Sequence, residues 1–241
     1  MNTLARTLDA ARQSRQQWIA DISHELRTPL AVLRAEIESL EDGVRPLDQA
    51  AVGSLANEAQ RLARLVEDLH TLSLSDLGAL SYHKEPVDLA EVLEDGVDAQ
   101  RRALDESGLK LDLRLERGAM VLADAARLTQ VFANLLQNSL RYTDAPGGIA
   151  IRLRRKGQRI IIDWEDTSPG VPGEDLARLT DRLFRVEGSR SRDGGGSGLG
   201  LAIARAIVEG HAGTLSAHAS ALGGLRIEIA LPALDGRTDH G

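Results

Sequence analysis

Apolar residues recur at Ile19, Ile22, Leu26, Leu30, Leu33, Ile37 and Leu40, three or four positions apart, which is the spacing of one helix face. Pro29 falls inside this run, and the loss of one ladder hydrogen bond predicts a bend there. Upstream, Leu4, Leu8 and Ala11, with Arg6, Arg12 and Arg15 between them, extend the helix over 1–17 as an uncapped stub, as the end of something longer would. The run stops near Glu41, where Asp42, Gly43 and Pro46 supply a helix end and a turn. A second run, Val52, Leu55, Ala59, Leu62, Val66 and Leu69, has the spacing of a coiled-coil seam. Two helices joined by a short loop make an antiparallel hairpin with little core of its own. A dimeric four-helix bundle supplies the missing core; the alternative is a hairpin folded back on the rest of the chain.

Residues 73–84 carry serines, Gly78 and no sustained period, and read as a linker. From Glu85 the pattern mixes periods. A helix is expected over 89–106, then a strand in which Leu109, Leu111, Leu113 and Leu115 alternate with Lys110, Asp112 and Arg114. A helix over 125–141 follows, then a hairpin of strands at 149–154 and 159–164, a glycine-bearing stretch, a helix over 199–209, and closing strands near Leu215 and at 225–231. Helices and strands do not alternate one for one, so a layer of helices on one mixed sheet fits better than a doubly wound parallel sheet. The expected organisation is a stub at 1–17, an all-α hairpin at 18–80, an α+β sandwich domain at 81–234 and a disordered tail at 235–241.

The formal net charge of −7 and pI near 5.4 argue against nucleic acid as a partner, because phosphate backbones attract basic faces. The absence of cysteine removes disulfides and thiolate metal sites. No apolar run approaches the roughly 20 residues that cross a bilayer, and the first residues are too polar for a signal peptide. The polypeptide as given is expected to be soluble.

Four stretches carry candidate chemistry. At roughly 100° per residue, His24 lies about 180° from Ile19, Ile22 and Leu26, so it faces solvent, with Thr28 one turn on and Glu25 beside it. A lone helical histidine is most often an ordinary surface residue. On the 125–141 helix, Leu128, Val131, Phe132, Leu135 and Leu136 define a core face, and Asn134 and Asn138 share another. Asparagine is a mediocre helix former. Two in register are either a solvated polar face or a pair of carbonyl oxygens suited to Mg²⁺ beside a triphosphate. Asp166 at a strand end can accept from an amino group such as that of adenine, and Gly170 permits positive φ and close backbone approach, although an ordinary turn would look the same. Finally, Gly194-Gly195-Gly196-Ser197-Gly198-Leu199-Gly200-Leu201 opens directly into an apolar helix, which offers backbone N–H groups to phosphate oxygens. A flexible linker is the alternative, although a linker does not usually pass into a buried helix. The run follows no strand and lacks a Lys-Ser/Thr ending, so neither dinucleotide nor P-loop motif applies.

The segment His24-Glu25-Leu26-Arg27-Thr28-Pro29-Leu30 resembles the phospho-accepting box of bacterial sensor histidine kinases. Residues 130–143 resemble the N box of the same family, Asp166 to Pro172 its first glycine box, Leu183-Phe184-Arg185 its phenylalanine box, and Gly194 to Leu201 its second glycine box. All occur in the family's order, and the match spans about 15–232. Arg141 stands where many relatives have lysine, Ser168 replaces the first glycine of its box, and Thr180 stands where an aromatic is common. The resemblance implies a homodimer whose catalytic domain shares the ATPase fold of gyrase, Hsp90 and mismatch-repair proteins. It implies that His24 accepts phosphate from MgATP, that Glu25 takes the ring proton, and that Thr28 orients water when phosphate is removed from a response regulator. It also implies that Asn138 is the principal Mg²⁺ ligand with Asn134 assisting, and that Arg141 lies near the phosphates and Tyr142 against the nucleotide. Asp166 and Gly170 would sit at adenine, and Gly196, Gly198, Leu199 and Gly200 at the phosphates. Arg185 is the first choice for the γ-phosphate, with Arg190 and Arg192 in a mobile lid at 187–193. A response-regulator receiver domain would be the partner. In such proteins a membrane-spanning sensor precedes the matched region, so the chain would be the cytoplasmic portion of an inner-membrane protein. Two rival classes, an ATP-driven conformational ATPase of the gyrase or Hsp90 type and a degenerate coiled-coil adaptor, are disfavoured by His24 in its box and by intact Asn138, Asp166 and Gly198-Leu199-Gly200. His70, His83, His211, His218 and His240 share no ligand spacing and read as structural or surface residues.

Overall fold

A computed structural model describes residues 3–167, 169–186 and 196–234, with side chains from Trp18 onward. Ser168, residues 187–193 (the expected lid, with Arg190 and Arg192), Gly194, Gly195 and residues 235–241 (the expected tail) lie outside the described residues. The chain divides into two compact units, Met1–His70 and Thr71–Gly241.

The first unit is a helical hairpin of α1 (Thr3–Glu41) and most of α2 (Gln49–Asp76). Gly43, at φ +67°, ends α1 in the left-handed conformation that glycine adopts without strain. Asp48 caps α2, its Oδ1 accepting from the Ala51 amide at 2.8 Å. Ser54 Oγ donates to Glu36 Oε1 at 2.8 Å and ties the two helices together. Helix α1 runs on through Pro29, and α2 extends to Asp76, into the stretch expected to be linker.

The hairpin divides its apolar positions in a way the spacing alone does not foresee. Ile22, Leu26, Leu33 and Leu40 are half-buried, whereas Ile19, Leu30 and Ile37 remain 54, 56 and 41% exposed. On α2, Leu65 and Leu69 are buried while Val52 and Val66 are 52 and 53% exposed. The single stripe expected on each helix is therefore two adjacent stripes. A run spaced by threes and fours drifts around the helix, so one part faces the hairpin partner and the other faces away from a single chain.

Asp68 sits on α2 half-buried, and burial first, then the Glu67 charge, push its carboxyl up to about 6, with Arg64 opposing. A carboxyl raised in the folded state favours folding below its unfolded value of 3.8 and loses that contribution as pH rises through 6. Asp68→Asn should therefore raise the stability of the hairpin at pH 7.5 by about 1–2 kcal/mol, after discounting the shift for solvent screening, and change it little at pH 4. Thermal melts at the two pH values test this; equal gains at both would remove Asp68 as the cause.

The second unit contains β1 (Glu85–Asp88), α3 (Leu89–Asp98), α4 (Arg101–Ser107), β2 (Leu109–Leu115), β3 (Met120–Ala123), α5 (Ala125–Tyr142), β4 (Gly147–Lys156), β5 (Arg159–Thr167), α6 (Gly173–Leu176), α7 (Gly200–Gly210), β6 (Thr214–Ala219) and β7 (Gly223–Pro232). Five strands form one sheet in the order β2-β4-β5-β7-β6, parallel only between β2 and β4, and β1 pairs antiparallel with β3 in a separate ribbon. The sheet is mixed, as expected. The helix anticipated over 89–106 is two helices, broken where Gln100 leaves helical geometry at φ −113°, ψ 15°.

Alternation sorts the sheet into two faces. Ile149, Ile151, Leu153, Ile160, Ile162, Trp164, Ile227 and Ile229 are buried, as are Leu128, Val131, Phe132, Leu135 and Leu136 of α5 and Ile203, Ile207 and Val208 of α7. The intervening sheet positions carry charge: Arg152 pairs with Glu165, and Arg154 and Arg226 with Asp163, each at 2.7 Å. Among the described residues, no helix is long and apolar enough to cross a membrane.

Candidate functional site

In the first unit, His24 is exposed on α1, Glu25 beside it is half-buried, and Thr28 Oγ1 donates to the His24 carbonyl at 3.3 Å. The threonine is thus anchored one turn from the ring on the same exposed face. Pro29 has no N–H to give to the Glu25 carbonyl, so the ladder is interrupted directly beneath this pair.

In the second unit the site is built around α5. Asp124 caps the helix, its Oδ1 accepting from Arg127 N at 3.1 Å while Oδ2 accepts from His83 N at 3.0 Å. Burial pushes this carboxyl up, but those two N–H groups and the Arg127 charge outweigh it and leave it below the ordinary range. Asn134 Nδ2 donates to the Gly200 carbonyl at 3.1 Å, which brings the N-box helix against the start of α7 and leaves the Asn134 carbonyl oxygen for another partner. Asn138 stands half-buried one turn further on. Neutral amide oxygens suit a hard cation whose charge is balanced by phosphate, so this donor set fits Mg²⁺ carried by a nucleotide.

The glycine-rich turn is shaped by its lack of side chains. A Cβ on Gly196 would lie 2.6 Å from Arg141 Nη1 and 3.9 Å from the Tyr142 hydroxyl, so the turn lies directly against both residues. Gly198, at φ +69°, would meet the Leu183 and Phe184 backbone at 2.9–3.1 Å if it carried a Cβ. Leu183 itself is held at φ 60°, with its N–H donating to the Gly198 carbonyl at 3.0 Å. A leucine in the left-handed region costs roughly 1–2 kcal/mol, and it is the close glycine that allows the two segments to lock. Leu199 is fully buried and precedes α7, whose first turn has no side-chain cap. Its leading amides therefore have no side-chain acceptor at the cap, as an anion site requires.

Asp166 lies at the end of β5, 5% exposed. Its Oδ1 accepts from Leu225 N at 2.7 Å and its Oδ2 from Ser139 Oγ at 3.0 Å, while Trp164 Nε1 donates to the same Ser139 oxygen at 3.1 Å. Burial raises the carboxyl above the usual range, against those two hydrogen bonds. Because Ser139 follows Asn138, the carboxylate is fixed to α5 beside the paired asparagines. Each carboxylate oxygen retains a lone pair for a further donor. Gly224 makes this possible: a Cβ there would lie 2.4 Å from Asp166 Oδ1 and 2.2 Å from the Thr167 carbonyl. Gly170 corrects one expectation. It is absent from the left-handed positions; what it supplies is close approach, a Cβ there lying 3.0 Å from the Gly223 carbonyl.

Arg185 is half-buried just after Leu183 and Phe184, and the Phe184 ring carries the Arg178 guanidinium 4.3 Å from its centroid. Thr180, standing where an aromatic is common, accepts from Arg205 Nη1 at 3.2 Å. Ser139, Gly224 and Leu225 were given no role at the site by sequence, and Leu183 entered only as part of the phenylalanine box. Ser139 lies in the N-box segment, on the same helix as the asparagine pair.

Residues 14–78 match the family described as His Kinase A (phospho-acceptor) domain, and residues 123–235 that described as Histidine kinase-, DNA gyrase B-, and HSP90-like ATPase. The chain is 48% identical over 231 residues to the signal transduction histidine-protein kinase BaeS of Escherichia coli (strain K12), covering 96% of this chain and 50% of that protein. The chain thus spans about half the length of the curated relatives it matches. Among solved structures, the Acinetobacter baumannii histidine kinase AdeS superposes with a TM-score of 0.75 at 32% identity, covering 88% of this chain and 98% of that one. Histidine kinase ThkA in complex with response regulator protein TrrA shares the fold, with a TM-score of 0.72 at 18% identity over 97% of this chain and 68% of that one.

Proposed function

The chain belongs to the histidine kinase family, and from that premise we propose that it transfers the γ-phosphoryl group of ATP to His24 and then to an aspartate of a response regulator. The observation that carries this reading is the convergence of Asn134, Arg141, Asp166 and the Gly196–Gly200 turn on one helix, α5, in a chain that also exposes His24 beside Glu25. Neutral imidazole is a competent nucleophile. A P–N bond forms at its ring nitrogen as the P–O bond to ADP breaks, and Glu25 receives the ring proton, a role worth ~10²- to 10⁴-fold. Asn138, assisted by Asn134, would hold Mg²⁺, which supplies charge stabilisation at the phosphates when bound. Asp166 and Gly170 would receive adenine, with Tyr142 against the nucleotide. Arg141, Arg185 and the amides of Gly196, Gly198, Leu199 and Gly200 would receive the phosphates. The second transfer breaks the P–N bond as an acyl-phosphate P–O bond forms on the regulator. Thr28 would orient the water that later hydrolyses it.

The exposed stripe of Ile19, Leu30, Ile37, Val52 and Val66 supports a homodimer, since a second hairpin would cover it. The ThkA–TrrA complex supports a receiver domain as the partner. The chain matches half the length of the BaeS relative, which leaves room in the whole protein for the membrane-anchored sensor region that this reading includes.

One set of variants tests these assignments. Asn138→Ala should abolish the Mg²⁺-dependent part of ATP affinity, whereas Thr28→Ala should bind ATP and label itself normally but fail to strip phosphate from a receiver domain. Unchanged Mg²⁺ dependence in the first variant removes Asn138 from the site. Intact dephosphorylation in the second removes Thr28 from that role.

A further inference from the structure

Helices α5 and α7 are tied together at two places. Near the glycine-rich turn, Asn134 Nδ2 donates to the Gly200 carbonyl at 3.1 Å. At the other end of α7, about 16 Å away for eleven residues of helix, the His211 ring makes the second tie. Its Nδ1 lies 2.7 Å from the Ile207 carbonyl, and its Nε2 accepts from the Asp124 amide at 3.0 Å. Nδ1 must then carry the proton and Nε2 the lone pair, which is the neutral ring. The imidazole is 4% exposed.

The surroundings favour that neutral form. Tyr82 packs edge-on at 4.7 Å between centroids. The Lys84 ammonium donates to the Gly210 carbonyl next door at 2.7 Å. Asp124 faces the ring with its own carboxylate held by His83 N and Arg127 N, and the Arg127 charge acts on both Asp124 and Tyr82. Burial lowers the ring's affinity for a proton below the ordinary histidine range and Lys84 adds to this, against the Ile207 bond and the Asp124 charge.

We propose that His211 is a positioning residue for the nucleotide: its neutral ring fixes the start of α5 to the end of α7 and so sets the register of the glycine-rich turn against Asn134. This role rests on the nucleotide reading above. Sequence reading left His211 as a structural or surface residue. What raises it above packing is that its ring bonds the two helices whose opposite ends carry the Mg²⁺ and phosphate groups. An imidazolium would have no lone pair for the Asp124 amide. The tie is therefore complete above pH 6.5, the unfolded value, and is lost as pH falls through the depressed value of the folded protein.

The test uses the full chain and ADP with Mg²⁺, with affinity read by titration calorimetry well below the melting temperature. His211→Phe keeps bulk without an acceptor and should weaken ADP about tenfold at pH 7.5, the loss of one buried hydrogen bond. His211→Gln offers an acceptor oxygen at the same reach and should restore most of that affinity. As pH falls below 6.5, wild type should lose ADP affinity more steeply than His211→Gln, which has no proton to gain; Asp166 acts equally in both. In the wild type, ADP should also slow hydrogen exchange at the Asp124 amide, a readout that needs no variant to fold. Equal affinity in His211→Phe, parallel pH profiles, or Asp124 exchange indifferent to ADP would each overturn the proposal. Failure of the wild type to bind ADP would instead overturn the nucleotide reading, and this role with it.

Discussion

Replacing His24 with alanine should reduce self-phosphorylation from MgATP by at least about 10³-fold while leaving ADP affinity unchanged, because no other nucleophile inherits the covalent route. The two effects separate because His24 belongs to the helical unit and the nucleotide residues to the other. The ring is exposed, and Thr28 bonds the His24 carbonyl rather than the imidazole. The substitution should thus leave the helix intact, and far-UV circular dichroism should match the parent. Acid-labile phosphate persisting in His24→Ala would refute the acceptor assignment, since the label would have to reside on another residue.

The second large effect is expected at a residue that touches no phosphate. Gly224→Ala drives a methyl group into the space of Asp166 Oδ1 and of the Thr167 and Asp166 carbonyls, at 2.2–2.5 Å. Backbone cannot yield there as a flexible side chain would. Either β7 shifts away from β5, breaking the Leu225 amide bond to Asp166, or the carboxylate turns out of its place between Leu225 and Ser139. Overpacking of this kind costs about 1–3 kcal/mol of stability. A displaced carboxylate no longer meets an amino group of the base, and loss of that charge-assisted bond should weaken ATP about 10- to 100-fold. Gly173→Ala, where a Cβ meets nothing within 4 Å, is the matched control. Calorimetric titration of both variants checks this, and an unchanged ATP affinity in Gly224→Ala would detach Asp166 from base recognition.

These residues show where sequence reading reaches and where it stops. Helices α1, α2, α5 and α7 and strands β2, β4 and β5 were legible because each carries a sustained period, helical or alternating. The four-residue strands β1 and β3 are too short to carry one, and the break at Gln100 involves no proline or glycine to announce it. The two apolar stripes on each hairpin helix were fused in reading, since an outward-facing apolar stripe has the same composition as one already packed. At the site, the asparagine pair and the glycine-rich turn stood out by residue type in their local setting and Asp166 by its place at a strand end, whereas Arg141 and Tyr142 entered only through the family resemblance. The roles of Gly224, of the Leu183 backbone and of His211 were not legible. The first lies on β7 against β5, a strand far off in sequence, the second adopts a left-handed conformation that leucine does not advertise, and the third bonds an amide 87 positions away. Such roles arise only when the sheet closes.

The most direct measurement of the central claim is incubation of the full chain with γ-labelled MgATP, followed by treatment of the isolated protein with acid and with alkali. The account predicts covalent label that acid releases and alkali leaves in place, as a phosphoramidate on a ring nitrogen should behave, with the label located on His24. Hydrolysis of ATP to inorganic phosphate with no labelled protein, or a label stable to acid, would contradict it.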